Sequence, residues 1–316
     1  MIKVFRDLEH LPVFTNAVIT IGTFDGVHIG HQQIIHQLKQ EALAIGGETV
    51  IITFHPHPRK IVGSQVPIRI INTLNEKIEL LQEAGIENLV VIPFNETFAN
   101  QSPEAYIQDF LVDKFHPHTI IIGYDHKFGK NRQGDYHLLE DKAMELGFIV
   151  KEIPEHLLNE LIVSSTRVRE ALLNSDIETA NKYLGYPYFF EGLVVEGNKL
   201  GRTIGYPTAN LFIENIEKLV PGNSVYAVKV QQTNTGAVKK VYYGMMNIGN
   251  RPTVDGNTRT IEVNIFDFDQ NLYGQTLQVR LLHRLRGEIK FKGLDELKAQ
   301  LANDEKKARE VMSCEL

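Results

Sequence analysis

The sequence has little cysteine, no excess of positive charge and no long apolar run. Cys314 is the one cysteine among 316 residues, which excludes an intramolecular disulfide and a cysteine-based zinc site. The net charge of −6 argues against a broadly basic surface for nucleic acid. No apolar run approaches the roughly 20 residues that cross a bilayer, and residues 1–10 lack the pattern of a secretory signal. We therefore expect a soluble, cytoplasmic protein without nucleic-acid or membrane partners.

Length and apolar pattern indicate two domains of different class. A chain of 316 residues with 43% hydrophobic content exceeds the usual size of one domain and can fill two cores. Residues 1–185 alternate short apolar runs with amphipathic helical patterns, which predicts a Rossmann-like parallel sheet covered on both faces. Residues 186–316 contain short strands separated by turn residues and end in a helical pattern. That half predicts a small antiparallel β-barrel with a C-terminal helix.

The most informative segment is residues 21–31, Ile-Gly-Thr-Phe-Asp-Gly-Val-His-Ile-Gly-His. An apolar run precedes it and a helical pattern follows, so it predicts the first strand–loop–helix turn of the sheet. His28 and His31 would lie at the start of the helix, where unpaired N–H groups and the helix dipole favour a phosphate. A glycine-rich turn with two solvated histidines is the alternative, but the whole motif in this context favours a nucleotide site.

Polar residues also follow other predicted strands of the first half. Parallel strands end at one edge of a sheet, so these loops should form a single site. His55 and His57 could instead bind zinc, but two histidines without a suitably placed carboxylate or cysteine make a weak metal site. The other segments are residues 123–129, which follow a later strand, and Ser164-Ser-Thr-Arg-Val-Arg169, which opens a late helix. In that helix, Ser165 and Thr166 are equally consistent with N-capping, and Arg169 can reach a phosphate.

The second half carries its own motif at residues 201–210, Gly-Arg-Thr-Ile-Gly-Tyr-Pro-Thr-Ala-Asn. In an extended chain, Thr208 and Asn210 lie on one face. Their neutral oxygens could bind a partly hydrated Mg²⁺ together with substrate phosphates. Gly201 and Gly205 would let the backbone approach a phosphate closely. A β-turn that enters an ordinary strand explains the segment equally well.

Glu262 is the candidate base of the second half. It lies on the polar face of an alternating strand pattern at residues 260–266. A carboxylate on a rigid strand could accept a proton from an alcohol that attacks a phosphoryl group. The pattern alone favours a solvated strand residue.

Together these motifs resemble the bacterial bifunctional riboflavin kinase/FMN adenylyltransferases, also called prokaryotic FAD synthetases. The first half has the motif of the His-x-Gly-His nucleotidyltransferase superfamily, and the resemblance runs from about residue 17 to residue 309. Two independent sets of motifs in the right order make it highly specific. They lie at residues 22–31, 53–58, 123–129, Arg132, 164–169, 201–210, 225–228, 247–253, Glu262 and 272–274.

The resemblance implies two sequential reactions, each with ATP as co-substrate. The C-terminal domain would transfer the γ-phosphate of ATP to the ribityl 5′-hydroxyl of riboflavin and produce FMN, with Glu262 as general base. Thr208 and Asn210 would hold Mg²⁺ and phosphate. The N-terminal domain would then join AMP from a second ATP to FMN and release FAD and pyrophosphate. His28 and His31 would stabilise the α-phosphate, and no protein nucleophile is needed.

The remaining implied site residues bind nucleotide. Asp125 would also hold Mg²⁺, and it stands where relatives often carry Asn. Ser224 stands where glycine usually precedes Val-Tyr-Ala-Val; if that backbone has positive φ, serine costs about 1 kcal/mol. The nucleotide-binding set is Gly22, Phe24, Asp25, Gly26, His57, Asp125, Arg132, Ser165, Thr166, Arg169, Gly201 and Gly205.

Two other functions stay open from the sequence. The chain could be a single-activity FMN adenylyltransferase whose barrel binds flavin or regulates the enzyme. It could also be a flavin-responsive protein that regulates flavin genes without catalysis. The acidic charge balance and the missing helix-turn-helix pattern count against direct DNA binding. The sequence does not indicate an oligomeric state.

Overall fold

A computed structural model describes residues 1–63, 68–153, 163–197, 200–233, 240–253 and 256–313, so Cys314 lies outside the described residues. The chain forms two compact units, Met1–Ser165 and Thr166–Leu316. The predicted domain boundary after residue 185 stays a prediction, because a compact unit and a functional domain need not end at the same residue. No helix in these ranges is both long and apolar enough to cross a membrane.

The first unit contains a six-stranded, fully parallel sheet in the order β1-β4-β3-β2-β5-β6. Its strands are β1 (Lys3–Phe5), β2 (Val18–Ile21), β3 (Thr49–His55), β4 (Asn88–Pro93), β5 (Thr119–Gly123) and β6 (Ile149–Ile153). The central strands are buried on both faces, as the continuous apolar runs predict. From β2 the chain passes to β3 on one side and later to β5 on the other. The order therefore reverses beside β2, where ligands bind in open parallel sheets.

Several helices of the first unit begin at identifiable capping residues. The Thr73 hydroxyl and the Glu76 side chain form a capping box, and the Ser102 hydroxyl accepts a hydrogen bond from the Ala105 N–H at 3.1 Å. The Ser102–Pro103 start is therefore confirmed. The helices are Ile29–Ile45, Leu74–Glu83, Glu96–Ala99, Pro103–Ala105, the π-helical Tyr106–Val112, Asp113–Phe115 and Tyr136–Leu146, with 3₁₀ turns at Pro58–Lys60 and Lys130–Arg132. Ser165–Leu173 starts at the last residue of this unit and continues into the second unit.

The second unit is a closed antiparallel barrel in the order β10-β11-β8-β7-β12-β9, followed by a C-terminal helix, so the predicted architecture is confirmed. Closure leaves no unpaired edge and encloses an apolar core. Its strands are β7 (Phe189–Val195), β8 (Ala209–Phe212), β9 (Ser224–Gln232), β10 (Val241–Thr253), β11 (Gly256–Ile265) and β12 (Thr276–Arg286). Its further helices are Ile177–Leu184, Leu200–Thr203 and Leu294–Ser313.

Ser224 fits the barrel without backbone strain. It begins β9 as a buried strand residue, outside the set of residues with positive φ. Its hydroxyl accepts a hydrogen bond from Arg284 Nε at 3.0 Å. Because φ is not positive at this position, serine does not cost stability there.

Candidate active sites

The loop at residues 22–28 connects β2 to the helix Ile29–Ile45. His28 is the N-cap of that helix, and its Nδ1 accepts a hydrogen bond from the His31 N–H at 3.4 Å. Phe24, Gly26 and Val27 have φ values of 46°, 93° and 35°. Positive φ at two non-glycine residues is costly, so the surroundings must hold this conformation. The loop is thus a rigid support for the two histidines, which lie at the helix start as predicted.

The imidazole rings of His28 and His31 are stacked, with centroids 3.8 Å apart and planes 15° from parallel. The ring of Phe24 lies 4.9 Å from that of His31. Burial, followed by the nearby charges of His28 and Lys77, holds the pKa of His31 well below its usual range. His31 is therefore neutral at pH 7. Within the described residues its buried Nδ1 has no hydrogen-bond partner, which leaves it available to a ligand.

Two predicted nucleotide-binding residues shape the loop from inside the protein. The carboxylate of Asp25 is buried and accepts hydrogen bonds from the N–H groups of Ile71 at 2.9 Å and Asn72 at 3.2 Å. The Ser165 hydroxyl donates to the Asp25 carbonyl at 2.9 Å. A Cβ at Gly30 would lie 3.2 Å from the His28 ring, so glycine lets that ring lie over the helix start. Direct contact of Asp25 or Ser165 with a nucleotide stays a prediction.

The other predicted residues of the first half lie in loops or on the helix that leaves the first unit. His57 caps the turn Pro58–Lys60, and its Nδ1 accepts a hydrogen bond from the Arg59 N–H at 3.2 Å. That turn follows β3, whose end lies on the same edge as the histidine loop. Asp125 and Arg132 are exposed and follow β5. That strand pairs with β2 on the side opposite β3. Thr166 and Arg169 belong to the second unit, on the first turns of Ser165–Leu173.

Sequence analysis missed an aromatic surface at the same sheet edge. Phe54 near the end of β3, Phe94 directly after β4, and Phe98 form what we call the edge aromatic cluster. Their ring centroids lie 5.4 to 5.7 Å apart, and all three rings are half-buried. Exposed faces of such rings suit a planar aromatic ligand. The available signal was an aromatic residue at the carboxyl end of two apolar runs.

Two buried polar atoms beside the loop after β5 lack partners within the described residues, namely Gln101 Oε1 and His126 Nε2. The Gln101 carbonyl accepts from the Lys130 N–H at 2.7 Å, which places Gln101 against that loop. Burial lowers the pKa of His126 to about 4, so its ring is neutral at pH 7. An acceptor and a neutral imidazole nitrogen can satisfy polar groups of a bound ligand.

The barrel contains a cavity of about 250 Å³ that brings the predicted kinase residues together. Gly201, Thr208, Asn210 and Glu262 all line it. Glu262 on β11 is directly opposite Asn210 on β8 and Asn247 on β10, so these three residues share one level of the barrel wall. Gly205 is not among the lining residues and instead occupies a turn with φ of 87°.

Close packing fixes the backbone next to Thr208 and Asn210. The Tyr206 N–H donates to the Gly201 carbonyl at 2.8 Å. A Cβ at Gly201 would collide with the Tyr206 carbonyl, and a Cβ at Gly197 would collide with the side-chain amide of Asn210. Glycine is therefore required for close approach at both positions, rather than for a positive φ.

The cavity wall also contains Arg286, which sequence analysis did not select. Its Nε lies 3.0 and 2.9 Å from the two carboxylate oxygens of Asp304, and its Nη2 lies 2.8 Å from Oδ2. The Gln300 amide donates to the same carboxylate at 2.7 Å. Asp304 is fully buried on the C-terminal helix. This bidentate pair fixes the guanidinium group in the wall.

Comparison with known proteins agrees with both halves of the chain. A family model for FAD synthetase matches residues 11–167, and a family model for riboflavin kinase matches residues 184–312. A crystal structure from Streptococcus pneumoniae, described as a macrolide-efflux protein, shares the fold with a TM-score of 0.84 and 30% identity. It covers 97% of this chain and 98% of that one.

Curated relatives match almost the whole chain. The bifunctional riboflavin kinase/FMN adenylyltransferase of Haemophilus influenzae is 39% identical over 298 residues, which is 94% of each chain. The protein of that name from Bacillus subtilis is 38% identical over 298 residues, covering 92% of this chain and 91% of its own. The match to both activities favours the two-reaction prediction over a single adenylyltransferase. The chain belongs to the bifunctional riboflavin kinase/FMN adenylyltransferase family and is an enzyme with both transfer activities.

Proposed function

We propose that the barrel cavity phosphorylates riboflavin and that the stacked histidines support adenylyl transfer to FMN. The main support for this assignment is that Thr208, Asn210 and Glu262 line one cavity. They do so although β9 and β10 lie between them in the sequence. Such a cluster in a partly open cavity can bind a polar ligand with several groups at once.

In the kinase reaction, the 5′-oxygen of the ribityl chain attacks the γ-phosphorus of ATP. A new oxygen–phosphorus bond forms, the bond from the γ-phosphorus to the β,γ-bridging oxygen breaks, and ADP leaves. The Glu262 carboxylate accepts the proton of the attacking hydroxyl. Arg286, held by Asp304, provides a fixed positive charge in the same wall.

We expect Thr208 and Asn210 to hold Mg²⁺, which would neutralise phosphate charge when bound. Hydroxyl and amide oxygens are hard ligands that suit Mg²⁺. Neutral donors alone bind it weakly, so substrate phosphates must complete the site. Asp125 of the first unit offers an exposed carboxylate for the same purpose in the second reaction.

In adenylyl transfer, a phosphate oxygen of FMN attacks the α-phosphorus of ATP, the α–β bridge breaks, and pyrophosphate leaves. The helix N-terminus with His28 and His31 donates hydrogen bonds to the α-phosphate as negative charge develops. Because His31 is neutral at pH 7, stacking at 3.8 Å does not place two positive charges against each other. We place the flavin ring against the edge aromatic cluster, and the nucleotide among Gly22, Phe24, Gly26, His57 and Arg132 of the same unit.

One assay tests this division: the protein receives either riboflavin or FMN, together with ATP and Mg²⁺, and the flavins are separated by chromatography. Glu262→Gln should lower FMN formation by a factor of about 10² to 10⁴ and preserve FMN-to-FAD conversion. His28→Ala should do the reverse. The matched controls are Glu191→Gln on β7, outside the cavity lining, and His36→Ala, exposed on the same helix as His31.

Loss of both activities in a folded Glu262 or His28 variant would contradict the division. FAD from supplied FMN with no product from riboflavin would instead support a single adenylyltransferase. We further expect a cytoplasmic location and no nucleic-acid partner, which cell fractionation and a filter-binding assay would test.

A further inference from the structure

Lys77 is a buried lysine that lies beneath the loop at residues 22–28. It extends from the helix Leu74–Glu83, and only 7% of its surface is exposed. Its Nζ donates to the Thr23 carbonyl at 2.6 Å and to the Thr53 hydroxyl at 3.2 Å. The Thr53 hydroxyl in turn donates to the Thr23 carbonyl at 3.2 Å. Burial of an ammonium group costs free energy, so a lysine at this position calls for an explanation.

A short chain of contacts joins Lys77 to the stacked histidines. The carbonyl that Lys77 holds belongs to the residue just before Phe24, whose φ is 46°. The Phe24 ring contacts that of His31, which stacks on His28. Because the loop is held in a costly conformation, loss of this anchor should let Phe24 relax and shift the histidines.

Lys77 also brings positive charge to the same place. Asp25 from the loop and His31 from the next helix are the titratable groups whose charge couples to it. Burial lowers the pKa of Lys77 to about 8, while Asp25 acts in the opposite direction. Lys77 is therefore mostly protonated at pH 7, and its charge helps to keep His31 neutral. The charge adds to the partial positive charge of the helix N-terminus.

We propose that Lys77 is a positioning residue for adenylyl transfer, because its buried ammonium group fixes the Thr23 carbonyl and adds positive charge behind the histidines that bind the α-phosphate. In this role Lys77 acts through the loop and the histidines rather than through a contact with substrate. This inference rests on the proposed assignment of adenylyl transfer to His28 and His31.

The first test compares Lys77→Met with Lys39→Met. Lys39 also donates to a backbone carbonyl, that of Ala84 at 2.8 Å, but it is exposed and far along the helix from the histidines. Lys77→Met should lower the rate of FMN-to-FAD conversion about 100-fold, as expected for misplaced catalytic groups, and Lys39→Met should not. Riboflavin phosphorylation on the same chain should stay unchanged in both variants, which shows that the second unit is intact, and hydrogen exchange of β2 and β3 checks the first unit.

The second test is the pH profile, which a purely structural role would not change. Above pH 8 the wild-type rate of FAD formation should fall as Lys77 loses its proton. Lys77→Arg keeps its charge over this range and should lose this decline. Thr53→Val removes the hydroxyl that accepts from Lys77 Nζ and donates to the Thr23 carbonyl, but it leaves the ammonium group in place, so its profile should still decline at high pH.

Three results would overturn the proposal: equal FAD rates for Lys77→Met and Lys39→Met, a wild-type rate that stays flat above pH 8, or the same decline in Lys77→Arg. The wild-type profile decides the matter even if Lys77→Met does not fold. If His28→Ala preserved FAD formation, the proposed site itself would be wrong. A normal Lys77 variant beside an inactive His28 variant rejects only the role of Lys77.

Discussion

Asp304→Ala should destabilise the barrel strongly. The buried carboxylate has three close contacts with Arg286, at 2.8 to 3.0 Å, and one with Gln300. Its removal leaves a guanidinium group whose side chain is only 15% exposed without its counter-charge. Truncation of one partner of a buried ion pair costs about 3–5 kcal/mol. We expect the free energy of unfolding of the second unit to fall by about that amount.

Hydrogen exchange measured by mass spectrometry is the suitable assay, because the chain has no tryptophan and its two units must be observed separately. Amides of β9 and β12, which pair along most of their length, report on the barrel. Amides of β2 and β3 in the first unit serve as the internal reference. Asp304→Ala should accelerate exchange in the barrel and have little effect in the first unit.

The matched control is Asp267→Ala. Asp267 accepts from Arg309 of the same C-terminal helix at 3.0 and 3.1 Å, but its side chain is 79% exposed. Exposed pairs contribute little to stability, so this variant should exchange almost like the wild type. Equal acceleration in the two variants would refute the argument from burial.

A double variant separates stability from function. Arg286→Met with Asp304→Leu replaces the pair by apolar side chains, which often restores the stability that a single truncation removes. It should recover slow exchange and still phosphorylate riboflavin poorly, because the cavity wall then lacks its positive charge. Recovery of full kinase activity would show that Arg286 has only a structural role.

Two further predictions concern single buried groups. Tyr188→Phe removes a hydroxyl that donates to the buried Leu219 carbonyl at 2.5 Å. The free energy of unfolding of the barrel, measured by hydrogen exchange, should therefore fall by about 1–3 kcal/mol. A decrease below about 0.5 kcal/mol would contradict this. Lys77 binds its proton less tightly in the folded state, with a pKa of about 8, than at the ordinary value of 10.5. Between these pH values the unfolded chain binds more protons than the folded chain. The free energy of unfolding of the first unit should therefore rise with pH by about 3 kcal/mol more in the wild type than in Lys77→Met. The same pH dependence in both proteins would disprove the lowered pKa of Lys77.

Apolar runs and capping residues made much of the fold predictable. The central strands β3, β4 and β5 are continuous apolar segments, and only burial on both faces of a sheet explains such runs. The first helix could be placed because an apolar run precedes the histidine loop and apolar residues at helical spacing follow it. The barrel followed from the short spacing of strands and turns.

Other elements had no signal of their own. The edge strand β6 has mostly exposed or half-buried residues, so it contains no apolar run. The short strand β1 was missed for a similar reason, since two of its three residues are half-buried and the third is exposed. The π-helical segment Tyr106–Val112 continues a helical pattern, and periodicity does not distinguish the two hydrogen-bond registers.

The candidate sites divide in the same way, between residues that we propose to contact substrate and residues that support them. His28, Thr208 and Asn210 could be selected because their chemistry and spacing fit phosphate and Mg²⁺. Lys77 and Asp304 stand in polar helical stretches, where a charge usually faces solvent. Only tertiary packing shows that Lys77 is buried beneath the loop of Thr23 and that Asp304 is buried against Arg286.

Buried charges of this kind restrict how the motifs can vary. Lys77 holds the carbonyl of Thr23, and Asp304 holds the guanidinium of Arg286, so each supports one of the two proposed sites within its own unit. Removal of either support should reduce one reaction and preserve the other. A chain that retains His28, His31 and Glu262 but replaces Lys77 by an uncharged residue should therefore accumulate FMN from riboflavin, although its nucleotidyltransferase motif is complete.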